Sequence, residues 1–411
     1  MTGPRPAGAA TLRAILGAAL PPGPLGVAVS GGGDSMALLR LLAGSGRPLR
    51  AATVDHALRD ASAAEAAMVA LACAGMAVPH DTLVWRHGAV RGNLQDAARR
   101  ARRALLGDWA LRHGIAAIAL GHTADDQAET VLMGLARGAG VDGLAGMRAR
   151  WTEGGVTFHR PLLAVARADL RAFLSAEGQD WAEDPSNDDD RFARTRARRA
   201  LAALAPLGIG TAALGRVAAN LAEARDALDA AAGRAFARMG RAEAGAVLLD
   251  RAGLAGLPAE TARRILSGAL RWVAGGAHAP RGPATGRVLE AVRAGRDATL
   301  AGCRIRARDA TAIIAREPRA VAGLVAATHA PWDGRWRLAG PHAPDLHLAA
   351  LGAAGLRACP DWRATGLPRD VLAVTPAVWR GGSLVAAPLA GRPEGWAATL
   401  AAGFGLPPLS H

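Results

Sequence analysis

The stretch from Leu25 to Leu39 reads Leu-Gly-Val-Ala-Val-Ser-Gly-Gly-Gly-Asp-Ser-Met-Ala-Leu-Leu: an apolar run, a glycine turn carrying a carboxylate and two hydroxyls, then a second apolar run of helical character. It predicts a strand, a phosphate cradle and a helix. Gly31, Gly32 and Gly33 admit backbone angles closed to other residues and let phosphate oxygens reach the amides, while the following helix contributes the positive end of its dipole. Ser30 and Ser35 add hydroxyl donors, and Asp34 can hold a Mg²⁺ that bridges phosphates. No Lys follows the glycines, which excludes the Walker motif. A glycine-rich hairpin or linker is the ordinary alternative, and the flanks fit it less well than they fit a strand and a helix.

The pattern then repeats. Leu49 to His56 is a short strand ending on polar side chains, Ser62-Ala-Ala-Glu65 is a capping box for a helix to about Met76, and Thr82 to Trp85 is a third strand. A long helix follows from about Asn93, and a fourth strand, Ile115 to Leu120, ends at Gly121-His122. Strands alternating with helices predict a doubly wound parallel sheet whose ligands lie at the carboxyl ends of the strands. Asp34, Asp55, His56, His122 and Asp126 all fall at or just beyond such ends.

The chain of 411 residues is half hydrophobic, long enough for two or three domains and unlike a disordered segment. Its formal net charge is +14 with no Lys at all, so Arg carries the basic charge and suits a polyanionic partner such as RNA. High-GC coding bias gives the same Ala, Gly and Arg excess. Cys73, Cys303 and Cys359 are too scattered for a zinc knuckle, a redox pair or a disulfide framework, so a reducing cytoplasm fits. The first residues lack a basic-then-apolar signal and the apolar runs are too short for a bilayer, so no membrane partner is expected.

Near residue 200 the texture changes to long Ala-rich amphipathic patterns such as Val217 to Leu228, and Ala259 to Val273 reads as a further helix. Strand-like pieces follow at Ala298 to Ile305 and Ala312 to Ala315. From about Pro331 short apolar pieces, including Val371 to Val374 and Ser383 to Ala387, stand between Gly and Pro. The expected division is a catalytic α/β domain over residues 1–200, a mostly helical domain over 201–325 and a small mixed domain over 326–411.

Three further segments carry chemistry. Gly121-His-Thr-Ala-Asp-Asp-Gln-Ala-Glu-Thr130 follows a strand and opens a helix with Thr123 as a plausible cap, so Asp126 can orient Mg²⁺ and a neutral His122 can donate to a phosphate or carbonyl oxygen. For Asp125 alone the simpler reading is an acidic first turn that complements the dipole. The helix from Asn93 to Leu106 carries Arg99, Arg100, Arg102 and Arg103, ordinarily a solvated face, here also a means of aiming one Arg at a reaction centre. Glu183 to Arg199 turns from acidic to basic, as a charged linker or an active-site edge would.

Ser30-Gly-Gly-Gly-Asp-Ser35 resembles the pyrophosphate loop of the PP-loop ATP pyrophosphatases. Taken with Val54-Asp-His-Ala-Leu-Arg59, Asn93 to Arg103, the Gly121 to Thr130 block, Arg160-Pro-Leu-Leu163 and Glu183-Asp-Pro-Ser-Asn187, the order and spacing resemble the tRNA(Ile)-lysidine synthetase family. The resemblance is carried by residues 20 to 200 and is weaker beyond them. It implies that ATP adenylates the C2 oxygen of the first anticodon cytidine of an isoleucine tRNA with a CAU anticodon. Free L-lysine then displaces AMP from C2. It further implies that Ser30 to Ser35 cradle pyrophosphate, with Asp55 and His56 as nucleotide candidates, that Asp34 and Asp126 hold Mg²⁺ beside His122, and that Arg99 with Arg194 or Arg198 approaches the adenylated intermediate. A homodimer is compatible with it.

Two departures stand out: the family's Arg-Asn-x-x-Arg is here Arg194-Thr-Arg-Ala-Arg198, and Arg103 stands where an aromatic is usual. A PP-loop tRNA thiolase would need paired cysteines or an iron-sulfur cluster, and only Cys73 lies in the ATP domain. A non-catalytic nucleotide- and RNA-binding protein would have no need of Asp34, His122 and Asp126 together.

Overall fold

The computed structural model describes residues 7–56, 61–87, 94–183, 193–276, 280, 282–307 and 309–405. Ala57 to Arg59, Asn93 and Asp184 to Asn187, all parts of the motifs above, lie outside these. The chain forms two compact units, Met1–Glu223 and Ala224–His411. No single helix among the described residues is long and apolar enough to cross a membrane.

The first unit runs α1 (Ala9–Ala19), β1 (Leu25–Ala28), α2 (Gly33–Ala43), β2 (Leu49–Asp55), α3 (Ala61–Gly75), β3 (His80–Val84), α4 (Leu94–Arg112), β4 (Ala117–Leu120), α5 (Ala124–Leu135), α6 (Val141–Leu144), β5 (Arg150–Glu153), β6 (Val156–His159), α7 (Arg167–Ala176) and α8 (Ala193–Leu204). The strands form one sheet in the order β3-β2-β1-β4-β6-β5, parallel except for β5. Every residue of β1 and β4 is buried, as central parallel strands covered on both faces require. Gly26 of β1 has a packing reason: a Cβ there would lie 2.8 Å from the Trp109 ring of α4, a ring that also donates its Nε1–H to Asp81 at 2.9 Å. Strand order reverses between β1 and β4, and their carboxyl ends open the crevice that a doubly wound sheet offers a ligand.

The doubly wound sheet expected from the sequence is present. One local reading is corrected: Ser62 does not cap α3 from outside but lies within it and donates its hydroxyl to Asp55 Oδ1 at 2.6 Å.

The helix α9 (Thr211–Met239) contains the amphipathic run at Val217 to Leu228. Beyond it come β7 (Gly240–Glu243), β8 (Ala246–Asp250), α10 (Arg251–Ala255), α11 (Ala259–Ala274), α12 (Gly282–Arg293), β9 (Ala298–Leu300), β10 (Cys303–Arg306) and β11 (Thr311–Arg316). The five strands make an antiparallel sheet, β7-β8-β11-β10-β9, against which α11 buries Ile265, Leu266, Ala269 and Leu270. The middle of the chain is therefore helical and sheet together. Its β7–β8 hairpin was not read from the sequence, because a four-residue polar strand and a short apolar run between glycines resemble a loop in an Ala-rich chain. Ala298 to Ile305 is likewise two strands joined at Ala301 and Gly302, both at positive φ.

The tail adds α13 (Pro318–Val321), β12 (Ala326–Ala327), β13 (Trp336–Ala339), β14 (Leu346–Ala350), α14 (Gly352–Arg357), α15 (Arg369–Leu372), β15 (Pro376–Arg380), β16 (Ser383–Ala386) and β17 (Ala397–Leu400). A four-stranded sheet, β12-β14-β15-β16, and a β13-β17 pair make up its mixed structure. Ser383 to Ala386 is a strand as its composition suggests, whereas the first half of the Val371 to Val374 run, Val371 and Leu372, ends α15, whose N-cap is Pro368.

Candidate active site

A cavity of about 920 Å³ opens beside the carboxyl ends of β1, β2 and β4. Ser30, Gly32, Gly33, Asp34, Ser35, His56, His122, Asp126 and Arg198 line it; Gly31, Asp55, Arg99 and Arg194 do not. Asp55 is instead held by Ser62, and Arg99 is exposed on α4.

The loop is built by its own small polar groups. The Ser30 amide donates to Ser35 Oγ at 3.1 Å, and Ser35 Oγ donates to the Gly32 carbonyl at 2.8 Å, which folds the turn back on the start of α2. Gly32 is the N-cap of α2 and no side chain caps it, so the helix presents its first amides to an anion. Gly31 sits at φ +86° and its carbonyl accepts the Ala182 amide at 2.9 Å, while a Cβ added at Gly33 would meet the Trp181 ring at van der Waals distance. Gly121, at the end of β4, is equally constrained: a Cβ would lie 2.9 Å from the Ser35 backbone.

Thr123 caps α5, and Asp126 completes the capping box by accepting the Thr123 amide on Oδ2 at 2.9 Å. Its other oxygen, Oδ1, accepts from Arg167 Nη2 at 3.2 Å, and Arg167 Nε donates to Asp34 Oδ2 at 3.0 Å. Arg167 Nη1 also lies 3.7 Å from Glu129 Oε1, a carboxylate with no exposed surface that accepts Arg198 Nε at 2.6 Å. Arg167 and Glu129 were not among the residues picked from the sequence, and Arg167 joins both expected metal ligands. The first residue of α7 is a poor place for a cation, and that anomaly is the one local cue.

Burial raises the Asp34 carboxyl above its usual range, partly opposed by Arg167. Burial also works against Asp126, yet the Thr123 amide and Arg167 hold its carboxyl below that range. His122 is pushed down to about 3 by burial and then by the charge of Arg160, so its imidazole is neutral at ordinary pH. Arg194, on α8, adds to the same positive field without lining the cavity, and Thr195, in place of the family's Asn, is buried in α8.

Among the described residues no group of three or more His, Cys, Asp or Glu gathers as an all-protein metal cage. The Asp34–Asp126 pair suits Mg²⁺ in a different way: both carboxylates already share one cation, and Mg²⁺ takes one or two carboxylates and leaves its other positions to phosphates and water. Free helix amides, a neutral imidazole, two carboxylates and the guanidiniums of Arg167 and Arg198 can together bind a polyphosphate and stabilise charge moving onto it.

The PP-loop domain family matches residues 10–205. A tRNA(Ile)-lysidine synthase from Ruegeria pomeroyi is 52% identical over 390 residues, covering 94% of this chain and 93% of that protein. Another, from Hyphomonas neptunium, is 43% identical over 76% of this chain and 87% of its own length. Among solved structures, the U34-tRNA thiolase NcsA from Methanococcus maripaludis is similar with a TM-score of 0.46 and 17% identity, over 52% of this chain and 78% of that one. With identity of this level along nearly its whole length, and with the glycine loop and the His122 block framing one cavity, the chain belongs to the tRNA(Ile)-lysidine synthase family.

Proposed function

We infer that this protein is an ATP-dependent ligase that joins lysine to C2 of the first anticodon cytidine of tRNA(Ile), forming lysidine. The observation that carries the reading is the meeting of Asp34 from the glycine loop and Asp126 from α5 beside neutral His122 in one cavity, in a chain of this family. The cytidine O2 attacks the α-phosphorus of ATP and pyrophosphate leaves. The lysine ε-amine, losing a proton as its bond to C2 forms, then expels AMP, which carries away the former O2. An oxygen that cannot leave alone becomes a good leaving group, and the protein supplies position and charge stabilisation.

In this reading the free amides at the start of α2, with Ser30 and Ser35, bind the β and γ phosphates. His122, held neutral, donates a hydrogen bond to a phosphoryl oxygen without delivering a proton. Asp34 and Asp126 would hold Mg²⁺, whose bound charge offsets that of the phosphates. Arg99, Arg194 and Arg198 are proposed to face the adenylated tRNA, and residues 201–325 and 326–411 to grip its body. Thiol chemistry has little support, since Cys73, the cysteine of the first unit, is fully buried and its thiol is pushed up to about 11 by that burial.

Nucleoside mass spectrometry of tRNA incubated with the protein, ATP and lysine tests this. The expected product is a cytidine heavier by lysine less water, with one AMP and one pyrophosphate per tRNA, and Asp34→Ala abolishes AMP release while tRNA is still bound. A thiolated base, or undiminished turnover by Asp34→Ala, would refute the reading.

A further inference from the structure

Arg167 joins the carboxylate of the glycine loop to those of α5. Each of its three nitrogens faces a different acid: Nε to Asp34 at 3.0 Å, Nη2 to Asp126 at 3.2 Å and Nη1 to Glu129 at 3.7 Å. Its backbone is fixed. The Arg167 amide donates to Asp125 Oδ2 at 2.7 Å, and the Val165 carbonyl accepts the Ala124 amide at 2.9 Å, which ties the start of α7 to the start of α5. Its side chain is not enclosed: it keeps about a fifth of its surface exposed and lines the cavity. Glu129 has a second, closer cation in Arg198, so it does not depend on Arg167. The Arg167 guanidinium can thus leave Asp34 and Asp126 by turning its side chain alone.

We propose that Arg167 is the protein's own counter-cation for the Asp34–Asp126 pair and competes with a divalent metal ion for those carboxylates, thereby setting how tightly the metal is taken up. The inference rests on the reading of Asp34 and Asp126 as a cation site. A guanidinium N–H and a metal ion cannot use the same lone pair on Asp34 Oδ2 or Asp126 Oδ1, and the two positive charges repel. Arg167 keeps the half-buried Asp34 and the buried Asp126 paired when no metal is there, and metal binding must first displace it. Arg167 is accordingly a positioning residue: it acts on the metal's ligands.

The test uses the full chain and Mg²⁺ alone, without nucleotide, with binding read by calorimetry and by the rise in melting temperature relative to EDTA. Arg167→Gln should bind Mg²⁺ at least about tenfold more tightly than the wild type, because a unit charge a few ångströms from the ion is removed. It should also melt lower in EDTA and recover more on adding Mg²⁺. Arg167→Lys, which keeps the charge but loses the fork, should fall between the two and serves if the Gln variant does not fold. Adding Asp34→Asn should abolish the Mg²⁺ response in each background. If Asp34-dependent Mg²⁺ binding is present but is equal or weaker in both Arg167 variants, the role given to Arg167 is wrong and the cation site stands. If no Asp34-dependent Mg²⁺ binding exists in any of these proteins, even with ATP added, the cation-site reading fails and this inference fails with it.

Discussion

Arg198 Nε donates to Glu129 Oε1 at 2.6 Å, joining α8 to α5 through a carboxylate that has no exposed surface and whose second oxygen has no hydrogen-bond partner among the described residues. Removing one partner of a buried pair costs roughly 3–5 kcal/mol, because the other charge is left uncompensated. Here Arg198 is about a third exposed and Arg167 stays near, so Arg198→Met should cost about 1–3 kcal/mol in urea unfolding. Changing Glu129→Met in the same chain should recover part of that loss. A single variant as stable as the wild type would show that the pair contributes nothing.

Gly121→Ala tests the junction of β4 with the glycine loop. The new Cβ would lie 2.9 Å from Ser35 Cα and 3.0 Å from its amide nitrogen, and backbone cannot yield as a flexible side chain does. The first turn of α2 must shift, with the amides it presents. AMP formation should fall about a hundredfold, since misplacement by about 1 Å carries penalties of that size. Circular dichroism should remain near that of the wild type.

His122 gives the protein a one-sided response to acid. Its imidazole is held down to about 3, against 6.5 for a free one, mainly by burial. Between those values the unfolded chain binds a proton that the folded chain refuses, so this group's contribution to stability is present above pH 6.5 and is lost as the pH falls from there towards 3. His122→Gln should therefore lose less stability than the wild type between pH 7 and pH 4 in matched urea titrations. In the wild type, the His122 ring protons should show no titration near 6.5 by NMR.

Cys73 is packed among the core residues of the first unit, with its thiol pushed up to about 11 by burial. Iodoacetamide should not label it in the folded protein at pH 8. Cys73→Ser should keep lysidine formation within about threefold while costing about 1–3 kcal/mol for placing a hydroxyl in an apolar core. Loss of modification with the fold intact would reopen sulfur chemistry.

The surplus of Arg predicts tRNA binding that weakens steeply with salt. Each phosphate neutralised contributes a slope of about 0.7 to 0.9 in log K against log salt, so several contacts give a strong dependence. Deleting Ala224–His411 should weaken tRNA binding more than tenfold, with a shallower salt slope, while ATP binding is retained. Equal affinity and slope would mean that the first unit alone grips the tRNA.

The parts of this fold that are legible in the sequence are those whose cause is local. Leu25 to Ala28 and Ala117 to Leu120 are apolar on both faces and bounded by glycine, so their place as central strands follows from composition, and the crevice follows from their order. Asp34 and Asp126 meet for that reason. Arg167 was missed because its partners Asp34 and Asp126 lie 133 and 41 residues away, and its place at the start of α7 names no partner. Arg99 and Asp55 carried family motifs, but the cavity wall excludes both, since an exposed helix face and a hydrogen bond to Ser62 were cheaper places for them. In the second unit β7 and β8 escaped because their hairpin is held by pairing with a distant strand: Leu248 of β8 lies opposite Ile313 of β11.

The bond from the Ala182 amide to the Gly31 carbonyl, with the Trp181 ring beside Gly33, has a consequence for the order of assembly. The glycine turn and the segment that closes over it, Gly31 and Ala182, are far apart in the chain. Such a contact forms only when most of that unit has been synthesised and a long loop has been drawn shut, which makes it slow relative to the local helices and neighbouring strands. On the ribosome, the glycine turn emerges long before the segment that sets it in place.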